Sequence, residues 1–236
     1  MTERQEHLLA SILKEYVQTA EPVSSGFLAE KQGMEVSPAT VRNELSTLEA
    51  EGYLEQPHTS SGRIPTEKAW RWYVKNLQDN QQELRKSNQQ DVVDVIRAYR
   101  TTQAELMRRL AKTIAELAQE TVLIGMNQDD MYYTGLSNLF AQPEFGRGDM
   151  VQQMSKVIDR FDDVMGKIFE QVEEDVQVLV GRDNPFSPEC GVIIARYRLP
   201  NHDAGVIGIL GPLRQNYDEH MAMLRFATNQ LNNLDQ

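Results

Sequence analysis

The stretches SPATVRNEL at residues 37–45 and QPHTSSGRIPT at residues 56–66 decide the fold of the first third of the chain. In the first, Ser37 is a typical helix N-cap residue, and Pro38 suits the first helical turn, where its missing N–H is not needed. In the second, small hydroxyl residues and Gly62 favour a turn between two short strands. A short helix followed by such a hairpin indicates a helix-turn-helix with a wing.

The residues before and after these stretches supply the other helices of the motif. Thr2 and Gln5 have the spacing of a capping box, so a first helix is expected to begin there. A short second helix is expected between Ser24 and Gly33, and Thr66 is expected to cap a fourth helix after the hairpin. Residues 1–78 are therefore expected to form one winged helix-turn-helix domain. Its core is expected to include Leu8, Leu9, Ile12, Leu13, Val41, Leu45, Leu48, Trp70, Tyr73 and Val74.

The third helix has a polar face that carries candidate base-reading residues. With Val41 toward the core, a rotation of about 100° per residue turns Asn43 and Ser46 outward and leaves Thr40 and Arg42 at the flanks. In the major groove, asparagine can pair with adenine and arginine with guanine. A solvated helix face without any DNA contact is the alternative interpretation of the same pattern.

Charge is unevenly distributed along the chain. The net charge of −11 at pH 7 disfavours a nucleic-acid partner, because phosphate binding needs lysine and arginine. Residues 56–75, however, contain Arg63, Lys68, Arg71 and Lys75 against Glu67 alone, a local charge of +3. We therefore expect double-stranded DNA as a partner, with Arg63, Lys68 and Arg71 near its phosphates.

The composition is that of a folded, water-soluble protein, with 40% hydrophobic and 25% charged residues. The first residues lack the apolar stretch of a signal peptide, and no later run is long enough to span a bilayer. A cytoplasmic protein without a membrane partner is expected. The single cysteine, Cys190, lies in an apolar string and is expected to be buried.

The rest of the chain is expected to form a linker, residues 79–120, and an α+β domain, residues 121–236. The linker begins with a stretch rich in Gln and Asn and continues as one long helix over 91–119. Its heptad-like spacing favours either a zipper between two protomers or a helix packed on its own domain. Beyond it, an antiparallel sheet is predicted from strands over 121–126, 176–180, 191–199 and 205–210, with helices from about 149 and about 214.

Motifs for catalysis are missing from the sequence. There is no Walker A loop, no HExxH pair and no pair of cysteines, and the four histidines are scattered. His202 and Asp203 fall in a predicted turn, which explains both residues without a catalytic role. We therefore expect no enzyme, no catalytic or metal-binding residue and no cofactor. A sensor of small molecules or proteins that has lost operator binding is the alternative to a DNA-binding regulator.

Several motifs resemble those of the heat-inducible transcription repressor family HrcA. Besides the two opening stretches, they are EPV at 21–23, YYTG at 132–135, PEF at 143–145, GRDN at 181–184 and GILGPLR at 208–214. The resemblance implies a GAF-like C-terminal domain and a homodimer that binds an inverted-repeat operator of chaperonin and chaperone operons. It also implies that the chaperonin is a partner that keeps the repressor active. By motif position, it places Ser37, Thr40, Arg42 and Asn43 in the recognition helix, and His58, Thr59, Ser60, Gly62 and Arg63 in the wing.

The chain departs from the family pattern in several places. Ser24 and Gly26 alter a glycine-serine-arginine order, Ala69 replaces a glycine, and Gln215 with Asn216 replaces methionine-aspartate. Members of the family carry a long inserted dimerisation segment between the counterparts of Val122-Leu123-Ile124 and Tyr132-Tyr133. Only a short bridge stands there in this sequence, which leaves the mode of dimerisation and the response to a chaperonin open.

Overall fold

The computed structural model describes residues 1–31, 37–59, 61–77, 82–98, 102–127, 130–145, 155, 157–159, 161–173, 175–199 and 204–234. The chain divides into two compact units, Met1–Asp79 and Asn80–Gln236. No helix within the described ranges is long and apolar enough to cross a membrane.

The N-terminal unit has the order of elements that the sequence predicts. Three helices come first, α1 (Glu3–Thr19), α2 (Ser25–Lys31) and α3 (Pro38–Ala50). Two short antiparallel strands, β1 (Leu54–Glu55) and β2 (Ile64–Pro65), then form a hairpin, and α4 (Glu67–Leu77) follows. This is the order of a winged helix-turn-helix. Side chains that are at most 1% exposed form its core, namely Leu8, Leu9, Ile12, Leu13, Leu28, Val41, Leu45, Leu48, Ala69 and Trp70.

Side-chain caps begin the first three helices as predicted. The Thr2 hydroxyl accepts the Gln5 backbone N–H at 3.3 Å, and the Gln5 side chain accepts the Thr2 N–H at 2.9 Å, which completes the capping box. The Ser24 hydroxyl accepts from the backbone of Phe27. Thr66 directly precedes α4, and its carbonyl accepts the N–H groups of Ala69 and Trp70. Its hydroxyl does not cap the helix, because it donates to the carbonyl oxygens of Gly52 and Tyr53.

The predicted single helix over 91–119 is wrong, because the structure has two helices there. These are α5 (Lys86–Ala98) and α6 (Gln103–Ala118), which pack against each other. Thr102 has an extended backbone, with φ −139° and ψ 145°, and its hydroxyl accepts the Glu105 N–H as the N-cap of α6. The buried residues Val92, Ile96, Leu106 and Leu110 therefore belong to the core of their own unit and not to a zipper seam.

The C-terminal unit is an α+β domain built on an antiparallel sheet, as predicted, but the sheet has five strands and not four. The strands are β3 (Thr121–Gly125), β4 (Met131–Thr134), β5 (Gln177–Val180), β6 (Cys190–Arg198) and β7 (Ala204–Pro212), in the order β4-β3-β7-β6-β5. The longest ladder joins β6 to β7, from Cys190 opposite Pro212 to Arg198 opposite Ala204. The strand β4 was not among the predicted strands.

Helices cover both faces of this sheet, as in a GAF-like domain. Helices α7 (Leu136–Ala141) and α8 (Phe161–Gln171) pack on one face, where Leu123, Val192, Ile194 and Val206 meet Leu139, Phe161 and Met165. Because side chains alternate along a strand, Val122, Ile193 and Ile207 face the other side, where α6 and α9 (Tyr217–Asn232) pack. The residues expected to start a helix at about 149 lie outside the described part. Cys190 is fully buried, and burial raises the pKa of its thiol.

Candidate nucleic-acid interface

Helix α3 separates its buried and outward faces cleanly. Val41, Leu45 and Leu48 are fully buried, whereas Arg42, Asn43 and Ser46 are exposed. The hydroxyl of Ser46 donates to the Arg42 carbonyl at 3.0 Å. Among the described residues, no side-chain hydrogen bond engages the head groups of Arg42 or Asn43. These two polar groups therefore project from a helix whose opposite face is fixed in the core.

Ser37 and Thr40 begin this helix. The Ser37 hydroxyl accepts the Thr40 backbone N–H at 3.2 Å and lies 3.1 Å from the Thr40 hydroxyl. Both side chains are thus used to start α3, which places the first turn of the helix. The helix is also fixed from the side of α1, where the buried Gln5 amide donates to Glu44 at 2.9 Å. The hydrogen bond between Gln5 and Glu44 could not be predicted from the sequence, because these residues are far apart in the chain.

The wing tip is shaped by two side chains that sequence reasoning missed. The Gln56 amide donates to the carbonyl oxygens of Thr59 and Ser61, at 3.2 Å and 2.8 Å. The Ser61 hydroxyl donates to the His58 carbonyl at 2.7 Å. These bonds hold the loop and leave the side chains of His58 and Thr59 exposed. Ser60, also a candidate contact, lies outside the described residues.

Gly62 is the point at which the hairpin packs against the backbone of residues 22–23. A Cβ at this position would lie 2.5 Å from the Val23 carbonyl carbon and 2.6 Å from the Pro22 oxygen. The missing side chain of Gly62 therefore lets the hairpin approach the EPV stretch at 21–23.

Arg63 is mostly withdrawn from solvent. Its side chain is 13% exposed, its Nε lies 3.0 Å from Glu49 of α3, and its guanidinium reaches Ser46 at 3.5 Å. Its backbone N–H and carbonyl both pair with Val23, each at 2.9 Å. The structure therefore places Arg63 at the base of the wing, bonded to α3, and not at an exposed position.

The two remaining basic candidates lie on α4. Lys68 is exposed, its Nζ donates to the Glu51 carbonyl at 2.7 Å, and it lies 4.2 Å from the centre of the Tyr53 ring. Arg71 is 39% exposed and pairs with Glu67, one turn earlier, at 2.8 Å. Both are accessible, but each already has a partner within the unit. Contact with phosphate would compete with those weak surface interactions.

The N-terminal unit, like the whole chain, has a negative net charge. Residues 1–79 contain eight Lys and Arg against twelve Asp and Glu, a net charge of −4. The net charge of the unit therefore disfavours binding of a nucleic acid, and only a local arrangement of cations would favour phosphate.

Comparison with known proteins identifies the family. Residues 75–221, more than half of the chain, match the family model described as HrcA protein C terminal domain. The chain belongs to the HrcA family. A relative from Carboxydothermus hydrogenoformans is named heat-inducible transcription repressor HrcA. It is 26% identical to this chain over an alignment of 333 positions, gaps included, which covers 98% of this chain and 97% of the relative. A relative of the same name from Desulforamulus reducens is 40% identical over 129 residues, which are 53% of this chain and 36% of the relative.

A solved structure has the same fold along nearly the whole chain. It is described as a hypothetical protein at 2.2 Å resolution, with a TM-score of 0.79, 18% identity and coverage of 98% of both chains. At that identity, the likeness supports the fold alone.

The alignment with the longer HrcA relative also shows where this chain is short. It runs over 333 positions although this chain has 236 residues, so close to a hundred positions of the relative lie opposite gaps. In the structure, the expected place of the missing segment is the connection between β3 and β4. These strands are direct neighbours, with Gly125 opposite Met131, and the Met126 N–H bonds to the Asp130 carbonyl at 2.9 Å. On either side of the short bridge, the described residues of the two strands therefore pair up to their ends.

Proposed function

We propose that this protein is a heat-inducible transcription repressor that binds double-stranded operator DNA through its N-terminal winged helix. The observation that carries the proposal is the outward face of α3, where Arg42 and Asn43 project from a helix fixed on its other side by a fully buried apolar face. Curated members of the HrcA family bear the name of such repressors.

The proposed contacts divide into base reading and backbone positioning. Asn43 and Arg42 are suited to read adenine and guanine edges in the major groove, with Ser46 beside them. The hydroxyl groups of Ser37 and Thr40, at the first turn of α3, would approach phosphate. The wing residues His58, Thr59 and Ser60 and the α4 residues Lys68 and Arg71 would contact the sugar-phosphate backbone, which fixes register without reading sequence.

The operator is proposed to be an inverted repeat upstream of chaperonin and chaperone operons, bound by a homodimer. A two-fold operator requires two recognition helices separated by about 34 Å or a multiple of it. The C-terminal unit is proposed to supply regulation and the contact between copies, and a chaperonin is proposed as the partner that modulates activity. Family membership supports these assignments.

The test is fluorescence anisotropy with an inverted-repeat operator and a scrambled duplex, each at several salt concentrations. The wild-type chain is expected to prefer the operator by about 10³-fold or more. Asn43→Ala should reduce operator affinity by roughly 1 to 3 kcal/mol and affect the scrambled duplex much less. Asn76→Ala is the matched control, because Asn76 is an exposed asparagine on α4 outside the proposed contacts. Equal losses on both duplexes would remove Asn43 from base reading.

A sensor of small molecules is the second candidate, and a cavity in the C-terminal unit favours it. The cavity has a volume of about 270 Å³ and lies between α6, the β3–β4 connection and the ends of β6 and β7. Met107, Met126, Tyr197 and Leu199 provide apolar walls, and Gln103 and Asp130 provide polar groups. If the wild-type chain binds both duplexes alike or not at all, the sensor becomes the leading function.

A further inference from the structure

Arg63 joins three elements of the N-terminal unit. Its guanidinium bonds to Glu49 and approaches Ser46, both on α3, while its backbone pairs on both sides with Val23, just before α2. Arg63 itself directly precedes β2, the returning strand of the hairpin. One residue therefore connects the wing with the candidate recognition helix and with the segment that leads into the helix-turn-helix.

Two contacts on α3 fix the orientation of the Arg63 guanidinium. An arginine guanidinium is a planar fork with fixed donor directions, so a bond from Nε to Glu49 and a contact from the terminal nitrogen to Ser46 orient the whole group. At Gly62, the preceding residue, the backbone lies so close to Val23 that a side chain there would overlap it. This close backbone contact and the bond from Arg63 to Glu49 together hold the hairpin against α3.

We propose that the ion pair of Glu49 and Arg63 is a clamp that sets the angle of the wing against α3, and that Glu49 is thereby a positioning residue for operator discrimination. The clamp rests on the proposed DNA-binding function. Its chemical role differs from that of a phosphate contact, because the charge of Arg63 is directed into the protein. A correctly set wing lets base-reading and backbone contacts form together, whereas a freely rotating wing would allow backbone contacts on any sequence.

The clamp and simple electrostatics predict opposite effects for the same substitution. Glu49→Gln removes a negative charge near the proposed DNA surface, so charge alone predicts tighter binding to every duplex. The clamp predicts weaker binding to the operator, because the neutral amide holds the guanidinium less strongly. The expected decrease in the operator-to-scrambled affinity ratio is on the order of tenfold, as for other directly coupled pairs.

Glu55→Gln is the matched control in the anisotropy experiment. Glu55 is an exposed residue of β1, in the same hairpin, and its replacement changes the net charge by the same amount. It is expected to leave the affinity ratio unchanged. Arg63→Lys keeps the charge but loses the planar fork, so it should lower the ratio as Glu49→Gln does. Glu49→Asp, which keeps the carboxylate, should restore part of it. The clamp is overturned if Glu49→Gln raises affinity for both duplexes, or lowers both equally.

Hydrogen exchange tests the clamp without DNA. In the Glu49→Gln variant, the amides of Val23 and Arg63, which bond across the junction, should exchange about tenfold faster, while the amide of the core residue Leu9 in α1 stays protected. Unchanged exchange at the junction overturns the clamp whatever the DNA result. Faster exchange in a protein whose wild type shows no operator preference would instead refute the proposed function and leave the clamp standing.

Discussion

Glu120 is a buried carboxyl that should make the C-terminal unit less stable as pH rises. It lies between α6 and β3 and is only 5% exposed, and its Oε2 has no hydrogen-bond partner among the described residues. The backbone of Gly211 packs directly against the carboxyl group, since a Cβ on Gly211 would lie 2.6 Å from the carboxyl carbon of Glu120. Burial raises the pKa of Glu120 from 4.5 to about 8, with Arg214 lowering it and Glu144 raising it further.

The size and pH range of the effect follow from this shift. A carboxyl whose pKa is raised by folding favours the protonated folded state, so its ionisation destabilises the fold progressively between pH 4.5 and about 8. At about 1.36 kcal/mol per pKa unit, the full difference is roughly 5 kcal/mol above that range. Between pH 5 and pH 8, the free energy of unfolding should fall by roughly 3 kcal/mol because of this group alone.

Glu120→Gln removes the titration and keeps the shape of the side chain. The amide adds donors that need partners, which costs a fixed amount at every pH. The free energy of unfolding of the variant relative to wild type should therefore rise with pH, by roughly 3 kcal/mol from pH 5 to pH 8.

Urea unfolding at several pH values measures the difference. Far-UV circular dichroism follows both units, and tryptophan fluorescence follows the N-terminal unit, because the two tryptophans of the chain are Trp70 and Trp72. Glu116→Gln, on the exposed side of the preceding helix α6, is the control for losing a carboxylate. Parallel pH curves for wild type and Glu120→Gln would refute the reasoning.

Three further predictions concern other described residues. Burial lowers the pKa of His220 from 6.5 to about 4, so the neutral imidazole stabilises the fold fully above pH 6.5. The free energy of unfolding should therefore fall by roughly 3 kcal/mol because of this group as pH falls from 6.5 to 4. If the difference in unfolding free energy between wild type and His220→Gln is the same at every pH in this range, the prediction is contradicted. Gly62→Ala should destabilise the N-terminal unit by about 1 to 3 kcal/mol, measured by tryptophan fluorescence, and an unchanged urea midpoint would refute the contact with Val23. Arg71→Ala should reduce the slope of log affinity against log salt by about one, and an equal slope would remove it from the DNA surface.

The local signals of the N-terminal unit could be predicted from the sequence. Thr2 with Gln5, Ser24 and Ser37 mark helix starts because a cap acts within three residues, and the structure confirms each. The inward face of α3 followed from the spacing of its apolar residues. The exposed positions of Arg42 and Asn43 then followed by rotation about the helix axis.

Features that depend on distant partners could not be predicted in the same way. The sequence showed that Arg63 is basic, but not that Glu49, fourteen positions away, withdraws it from solvent. A heptad-like pattern over residues 91–119 is equally compatible with one helix and with two helices that share a core. Only Thr102, a modest capping signal, marks the break. The strand β4 is four residues long and half-buried, so its pattern carries little information.

Because the chain is acidic, the proposed DNA binding would depend on the contacts that a second copy adds. Arg42, Lys68 and Arg71 are the accessible cations among the candidate contacts of one winged helix, within a unit of net charge −4. Because Arg42 is assigned to base reading, Lys68 and Arg71 remain as basic phosphate contacts, and two such contacts would give a salt slope of only about −2 for one copy, which corresponds to weak binding. Two copies on an inverted repeat would double these contacts and convert the second binding event into an intramolecular one. Because only a short bridge joins β3 and β4, where the family resemblance implies an inserted dimerisation segment, we propose that the contact between copies comes from other parts of this chain.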